Sequence, residues 1–334
     1  MPLTVPAEWS PHAAMWVGFP SAQNLWLDDL EPAQAEVAAL ARALAGPGRE
    51  RVRLLVCGEA AEQAARARVG DADGIEIVRG FFGDIWLRDT GPIFVQTGSG
   101  VGAAGFRVNG WGGKYILPDD DTVSEQIAAA SGYPLTKNSF ILEGGALDHD
   151  GFGTVLTTRL CLLNPNRNPG WDEGSAELAL ATGLGVRKTL WLGDGLLNDH
   201  TDGHVDNLAR FVAPGVVACP AAMGEDDPNA DVYDETARLL SGMKDARGVS
   251  LQVARIPSPG RIVNEEGEVV PASHMNFIIA DGAVIMPTYE ETTSSFALDA
   301  LAALFPERSV IGLPAGALLT GGGSFHCITQ QEPA

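Results

Sequence analysis

Apolar and polar positions along this chain fall into blocks that recur in one order. A polar run rich in Gly or Asp leads into two short apolar stretches with a tight turn between them. An amphipathic helical pattern follows, and then one more apolar strand. The clearest block predicts a hairpin over 147–156, a helix over 172–182 and a strand over 188–192. The next predicts a strand over 204–212 turning at Pro214-Gly215, a helix over 231–245 and a strand over 250–256. In a third, a strand over 276–280 turns at Asp281-Gly282, before a helix over 293–304 and a strand over 309–313. Residues 88–95, with a helix over 122–131, make a further copy. Asp-Gly is a strong hairpin signal because both residues tolerate the backbone angles of a tight turn.

The two ends complete the series. A strand over 14–19 precedes a helix carrying Val37, Leu40 and Leu44 at helical spacing, and then a strand over 52–57. Residues 321–329 read as a strand with no helix after it. Pairing that last strand with the first makes a fifth module and closes a ring. The fold expected is α/β, a five-bladed propeller of repeated ββαβ modules, in a single domain over 1–334. Closure protects exposed sheet edges. Each block also opens on a polar run, so the runs meet at one central site. An open α/β sheet with hairpins is the alternative that periodicity leaves standing.

Composition narrows the function. A chain of 334 residues, 45% hydrophobic, can bury a sizeable core. Its net charge of -21 argues against a nucleic-acid partner and favours a cationic small molecule. No apolar run reaches the roughly 18 residues of a membrane span. Met1-Pro2-Leu3-Thr4-Val5-Pro6 has neither the basic nor the apolar part of a secretory leader, so a cytoplasmic location is expected. Four cysteines with no CxxC suggest neither a disulfide scaffold nor a zinc knuckle. Cys57 and Cys219 sit in apolar, strand-like runs and read as buried, inert thiols.

Cys327 differs. It follows Gly321-Gly322-Gly323, where small residues let a substrate approach the sulfur closely. Three other runs carry groups that such a thiol would need. His204 and Asp206, two apart in a strand-like run, would project from one face. Asp89 follows Ile85-Trp86-Leu87, and Glu143 ends an apolar strand before two glycines, where an unpaired carboxylate is costly to bury. A thiol, an imidazole and three carboxylates, with no Lys in these runs, offer hydrogen-bond acceptors to a planar cation. A guanidinium fits, with its five N–H donors. Cys327 would attack its central carbon, and His204, whose unperturbed pKa lies near neutrality, would donate and then accept a proton. A different chemistry is also open: Asp199-His200-Thr201-Asp202-Gly203-His204-Val205-Asp206 carries donors suited to a divalent metal, as in a metal-dependent hydrolase.

The runs Trp86-Leu87-Arg88-Asp89-Thr90-Gly91-Pro92, Glu143-Gly144-Gly145, Cys161–Pro169, Thr201–Asn207 and Gly321–Gln331, in that order, resemble those of the agmatine deiminase family. The resemblance extends from Trp16-Val17-Gly18-Phe19-Pro20 to the last residues. It implies the pentein fold, and hydrolysis of agmatine through an amidino-cysteine intermediate without metal or cofactor. Carried over by motif, Cys327 is the nucleophile, His204 the acid/base and Glu143 its orienting partner. Asp89 and Asp206 hold the guanidinium, and Trp86 flanks the pocket. Trp111-Gly112-Gly113-Lys114 also matches a family motif, with no role that chemistry assigns. The resemblance further implies a homo-oligomer. His200 stands where the family often has an acidic residue, which leaves arginine or peptidyl-arginine as alternative substrates.

Overall fold

The computed structural model describes residues 3–334, so Met1 and Pro2, where the reading for a leader begins, lie outside it. Five separate sheets hold the strands of the described residues, and one wiring recurs. Ile93–Thr97 pairs antiparallel with Gly100–Arg107, which pairs parallel with Leu135–Ile141 after the helix Val123–Ser131. Asp148–His149, Thr154–Thr158 and Lys188–Leu192 repeat this around the helix Glu173–Leu184. Arg210–Ala213, Val216–Ala221 and Gln252–Pro257 do so around Ala230–Ser241. Ile278–Ile279, Ala283–Thr288 and Ser309–Pro314 do so around Glu291–Leu304.

The last sheet joins the two ends of the chain. Thr329–Pro333 pairs antiparallel with His12–Gly18, in register Val17 to Thr329, and His12–Gly18 pairs parallel with Val52–Val56. The helix Leu30–Ala45 connects the latter two and buries Val37, Leu40 and Leu44, as their spacing predicts. A helix Glu59–Val69 and a strand Ile75–Arg79 extend this sheet beyond the sequence reading.

Local chemistry explains the turns and caps. Asp150 accepts the backbone N–H groups of Phe152 (2.7 Å) and Thr154 (2.8 Å), closing the second hairpin. Asp172 caps the helix after it by accepting from Ser175 N at 2.8 Å. Successive sheets share apolar cores: Ile93 and Val95 pack with Val155 and Trp191, and Leu156 and Leu190 with Phe211 and Val217. Val212 and Ala218 pack with Val284 and Met286, while Val17 and Leu54 share a core with both Phe94 and Ile285.

Two predicted strands are corrected. Of residues 204–212, Val205–Asn207 is a 3-10 turn and the strand begins at Arg210. Thr201 Oγ1 accepts His204 N (3.0 Å), and Leu208 and Ala209 donate to Val205 O, so no ladder is available there. Of residues 321–329, only Thr329 is in a strand. The N–H groups of His326 and Cys327 bond the Asn276 side chain in place of a neighbouring strand.

Beneath the centre, fully buried Arg210 donates to Glu8 and Asp148 and to the carbonyls of Met275 (3.3 Å) and Phe277 (2.9 Å). Burial pushes the Glu8 carboxyl up, but Arg210 and His326 outweigh it and hold it well below the usual range. Arg210→Met is expected to cost about 3–5 kcal/mol, because it strands buried carboxylates. Urea denaturation checks this, with Arg255→Met at the exposed Asp234 pair as a control expected to lose under about 1 kcal/mol.

Candidate active site

Cys327, Asp89 and Trp86 line a cleft of about 260 Å³, together with Trp26, Trp111 and His200. His204, Asp206 and Glu143 are buried directly beneath that surface. All six residues singled out in the sequence therefore belong to one locality. The turn Val205–Asn207, not a strand face, carries Asp206 beside His204. Asp89 sits in the helical turn Leu87–Thr90, which brings its carboxylate back under the cleft.

The Cys327 thiol donates toward Asp206 Oδ2 at 3.7 Å and accepts from Asn276 Nδ2 at 3.2 Å. His204 Nδ1 lies 3.7 Å from Asp89 Oδ1, and its Nε2 lies 3.6 Å from Glu143 Oε2. Neither ring nitrogen makes a shorter hydrogen bond, and Asp206 Oδ1 is likewise buried without a partner. Buried polar atoms left without a protein partner are uncommon, and these three lie together below the cleft.

Several partners escaped the sequence reading. Trp111 Nε1 donates to Asp89 Oδ2 at 2.8 Å, and Gly145 N to Asp89 Oδ1 at 2.9 Å. Arg167 Nε donates to both oxygens of Glu143, at 3.0 and 3.2 Å, and its other nitrogens reach Thr201 O (2.8 Å) and Asp202. Lys114, without an assigned role in the sequence, donates to His200 O at 2.8 Å and to Asp202. His326 Nδ1 bonds Asp206 Oδ2 at 2.8 Å, and its Nε2 bonds Glu8 at 3.2 Å. Cys161 lies beside His204 and Glu143, with their donor atoms within 4.8 Å of one another. The sequence offered a signal for Trp111, Arg167 and Cys161, since each lies in a run already noted. Gly145 also lies in a noted run, though nothing there separates it from an ordinary turn glycine, and Asn276 had no signal.

Electrostatics set the protonation states. Burial, reinforced by Asp206 and Asp89, raises the Cys327 thiol well above its ordinary value. Burial alone would lower His204, but Asp89, Cys161 and Glu143 together raise it well above the ordinary imidazole value. Burial also pushes Asp89 up, only partly countered by His204. Glu143 and Asp206 feel the same burial but end lower than usual, through His204 and Arg167 for the former and His326 for the latter. Both shifts favour the neutral form of the Cys327 thiol and the protonated form of the His204 ring.

The donors of the 199–206 run do not converge on a metal. Asp199 accepts from Thr201 N and Oγ1 (2.8 and 2.6 Å), and Asp202 is tied to Lys114 and Arg167. Glu143, though close to Cys161 and His204, is already held by a guanidinium that would repel a metal cation.

Gly145 makes the close convergence possible. A Cβ there would lie 2.6 Å from His204 Nδ1, 2.9 Å from Asp89 Oδ1 and 3.1 Å from Asp206 Oδ2. Gly145→Ala must therefore spread these groups by a substantial fraction of an ångström. We expect kcat/KM to fall about 10²-fold with the thermal midpoint nearly kept. Steady-state kinetics beside a melting curve checks both halves of that statement.

A family model described as Porphyromonas-type peptidyl-arginine deiminase matches residues 4–333. An agmatine deiminase of Ectopseudomonas mendocina is 37% identical, over 99% of this chain and 95% of that protein. Among solved structures, an Enterococcus faecalis agmatine deiminase superposes with a TM-score of 0.92 at 31% identity, covering 99% of this chain and 96% of that one. A C. jejuni agmatine deiminase with a cysteine-to-serine change and substrate bound gives 0.89 at 25% identity, with the same coverage of 99% and 96%.

Proposed function

This chain belongs to the Porphyromonas-type peptidyl-arginine deiminase family, and from that premise we propose that it hydrolyses agmatine to N-carbamoylputrescine and ammonia. The observation that carries the reading is that the Cys327 thiol, on one cleft with Asp89, lies 3.7 Å from Asp206 Oδ2, while His204 lies 3.7 Å from Asp89. In the proposed order, Asp89 and Asp206 accept the guanidinium N–H groups and Trp86 flanks the group. The bound cation lowers the thiol's pKa, so the thiol gives its proton to water in the cleft before attack, and that proton later meets the departing ammonia as ammonium. The Cys327 thiolate forms a C–S bond to the guanidinium carbon, and His204 protonates one terminal nitrogen, which leaves as ammonia. The remaining thiouronium keeps the alkyl chain. His204, now neutral, takes a proton from water, whose oxygen adds to the same carbon, and the C–S bond breaks to give the ureido product and the thiol. Glu143 orients His204 and stabilises its imidazolium. Neither step draws on a cofactor.

The substrate's far end supports agmatine over arginine. Among the described residues no Arg or Lys lines the cleft, whereas Asp29, Asp84 and Asp89 do. An α-carboxylate there would be buried against like charge. We read the five sheets as blades of one closed α/β propeller, the pentein fold, in a single catalytic domain. The paired end strands and the shared cores support that reading. The acidic surface, net -21, suits a small cationic partner and not nucleic acid.

Incubation with agmatine and with arginine, reading ammonia and ureido product, tests the proposal. Agmatine is expected to exceed arginine by about 10²-fold in kcat/KM. Turnover of arginine alone, or of neither, contradicts it. The thiol also yields a titration test. Its pKa should drop on adding a cationic amidine, by about 1–3 units for an adjacent opposite charge. Iodoacetamide reactivity against pH measures this, and an unmoved curve removes substrate-assisted activation from the account.

A further inference from the structure

Agmatine carries a second cation, an ammonium four methylenes from its guanidinium, and the chemistry above gives it no partner. Asp84 is the cleft carboxylate whose surroundings lack a cation of their own. It is buried, and its two oxygens accept the indole N–H groups of Trp26 and Trp86, each at 2.9 Å. No Arg, Lys or His of the described residues contributes to its electrostatics, and burial raises its pKa above the ordinary carboxylate value. Three neutral donors, the two indoles and the Ile85 backbone N–H, steady this anion without neutralising it. Asp29, also on the cleft, is partly exposed, where water weakens its pull. Asp89 already faces the reacting end. The indoles on either side of Asp84, with ring centroids 6.1 Å apart and planes 31° from parallel, form apolar walls for a methylene chain.

We propose that Asp84 anchors the distal ammonium of the substrate, in a subsite walled by Trp26 and Trp86. The inference rests on the agmatine reading. It gives Asp84 the selection of agmatine over guanidines that end in a methyl group, and it assigns no part in holding the ammonium to His200, which bonds Tyr115 at 3.1 Å.

The test compares agmatine with N-butylguanidine, which keeps the chain and lacks the ammonium. Wild type should favour agmatine at least tenfold in kcat/KM. Asp84→Asn should raise KM for agmatine by roughly tenfold to a hundredfold, the worth of a charge-assisted hydrogen bond, with N-butylguanidine within about twofold. Asp84→Glu, which keeps the charge, should restore much of the preference. An equal loss on both substrates would mean that Asp84 only holds the indoles, and overturns the proposal. So does a selective loss in Asp29→Asn or His200→Ala with none in Asp84→Asn. Should Asp84→Asn not fold, the wild-type comparison decides, since equal kcat/KM for the two substrates rejects the anchor. Failure of wild type to turn over agmatine overturns the reaction as well, so the two failures are distinguishable.

Discussion

Cys327→Ala is expected to lower agmatine turnover by about 10⁴–10⁶-fold, the scale seen when a covalent nucleophile is removed. No other thiol is placed to take over: Cys57, expected to be buried, is partly exposed, but it does not line the cleft. Cys161 is buried beside His204, its thiol pushed up by burial. Cys219 lies in the strand Val216–Ala221, where burial raises it to about 11. The substitution removes one sulfur and its bonds to Asn276 and Asp206, so the fold should lose little. Binding should survive, because Asp89 and Asp206 keep their charges and lose only a neutral neighbour. Calorimetric titration of the variant with agmatine should give an affinity within a few-fold of the wild-type KM. More than a tenth of wild-type ammonia release would remove Cys327 from the mechanism.

His204→Asn should come next in size, at about 10²–10⁴-fold in kcat, since general acid–base catalysis is worth that much and His204 serves both steps. Asparagine approximates the ring's first polar atom but cannot carry a proton between leaving group and water. The variant should also lose a feature of stability. Because the folded state raises the His204 pKa, its contribution is fully present below the ordinary imidazole pKa and is lost as pH rises through the raised value. Urea midpoints across pH should show that decline in wild type and a flatter curve in the variant. A variant with wild-type kcat and an unchanged profile would contradict the role.

Much of this was legible in the sequence, for physical reasons. Helices and strands of the repeated modules follow from apolar spacing, as at Val37, Leu40 and Leu44. The chemistry followed from residue types that are costly to bury singly, such as Glu143. Errors fell where the chain bonds to side chains in place of backbone. The run from His204 to Val212 has the alternation of a strand, but Thr201 captures His204 N and winds the next residues into a turn. Residues before Thr329 look extended, yet Asn276, some fifty positions away, takes their N–H groups. No local pattern announces such a partner. Gly145 is similar: two glycines after Glu143 suggest a turn, and only the packed centre reveals why a Cβ is excluded. The added helix Glu59–Val69 did carry a signal, with Ala61, Ala65 and Val69 four apart, but small residues make a faint stripe.

The central claim is a covalent step at Cys327 on a guanidinium carbon. Rapid acid quench of the enzyme turning over agmatine, followed by peptide mass spectrometry, tests it most directly. The account predicts that the peptide containing Cys327 gains the mass of agmatine less ammonia, and that His204→Asn changes the amount trapped. Turnover with an unmodified Cys327 peptide at every quench time, or the same mass on Cys161, would contradict it.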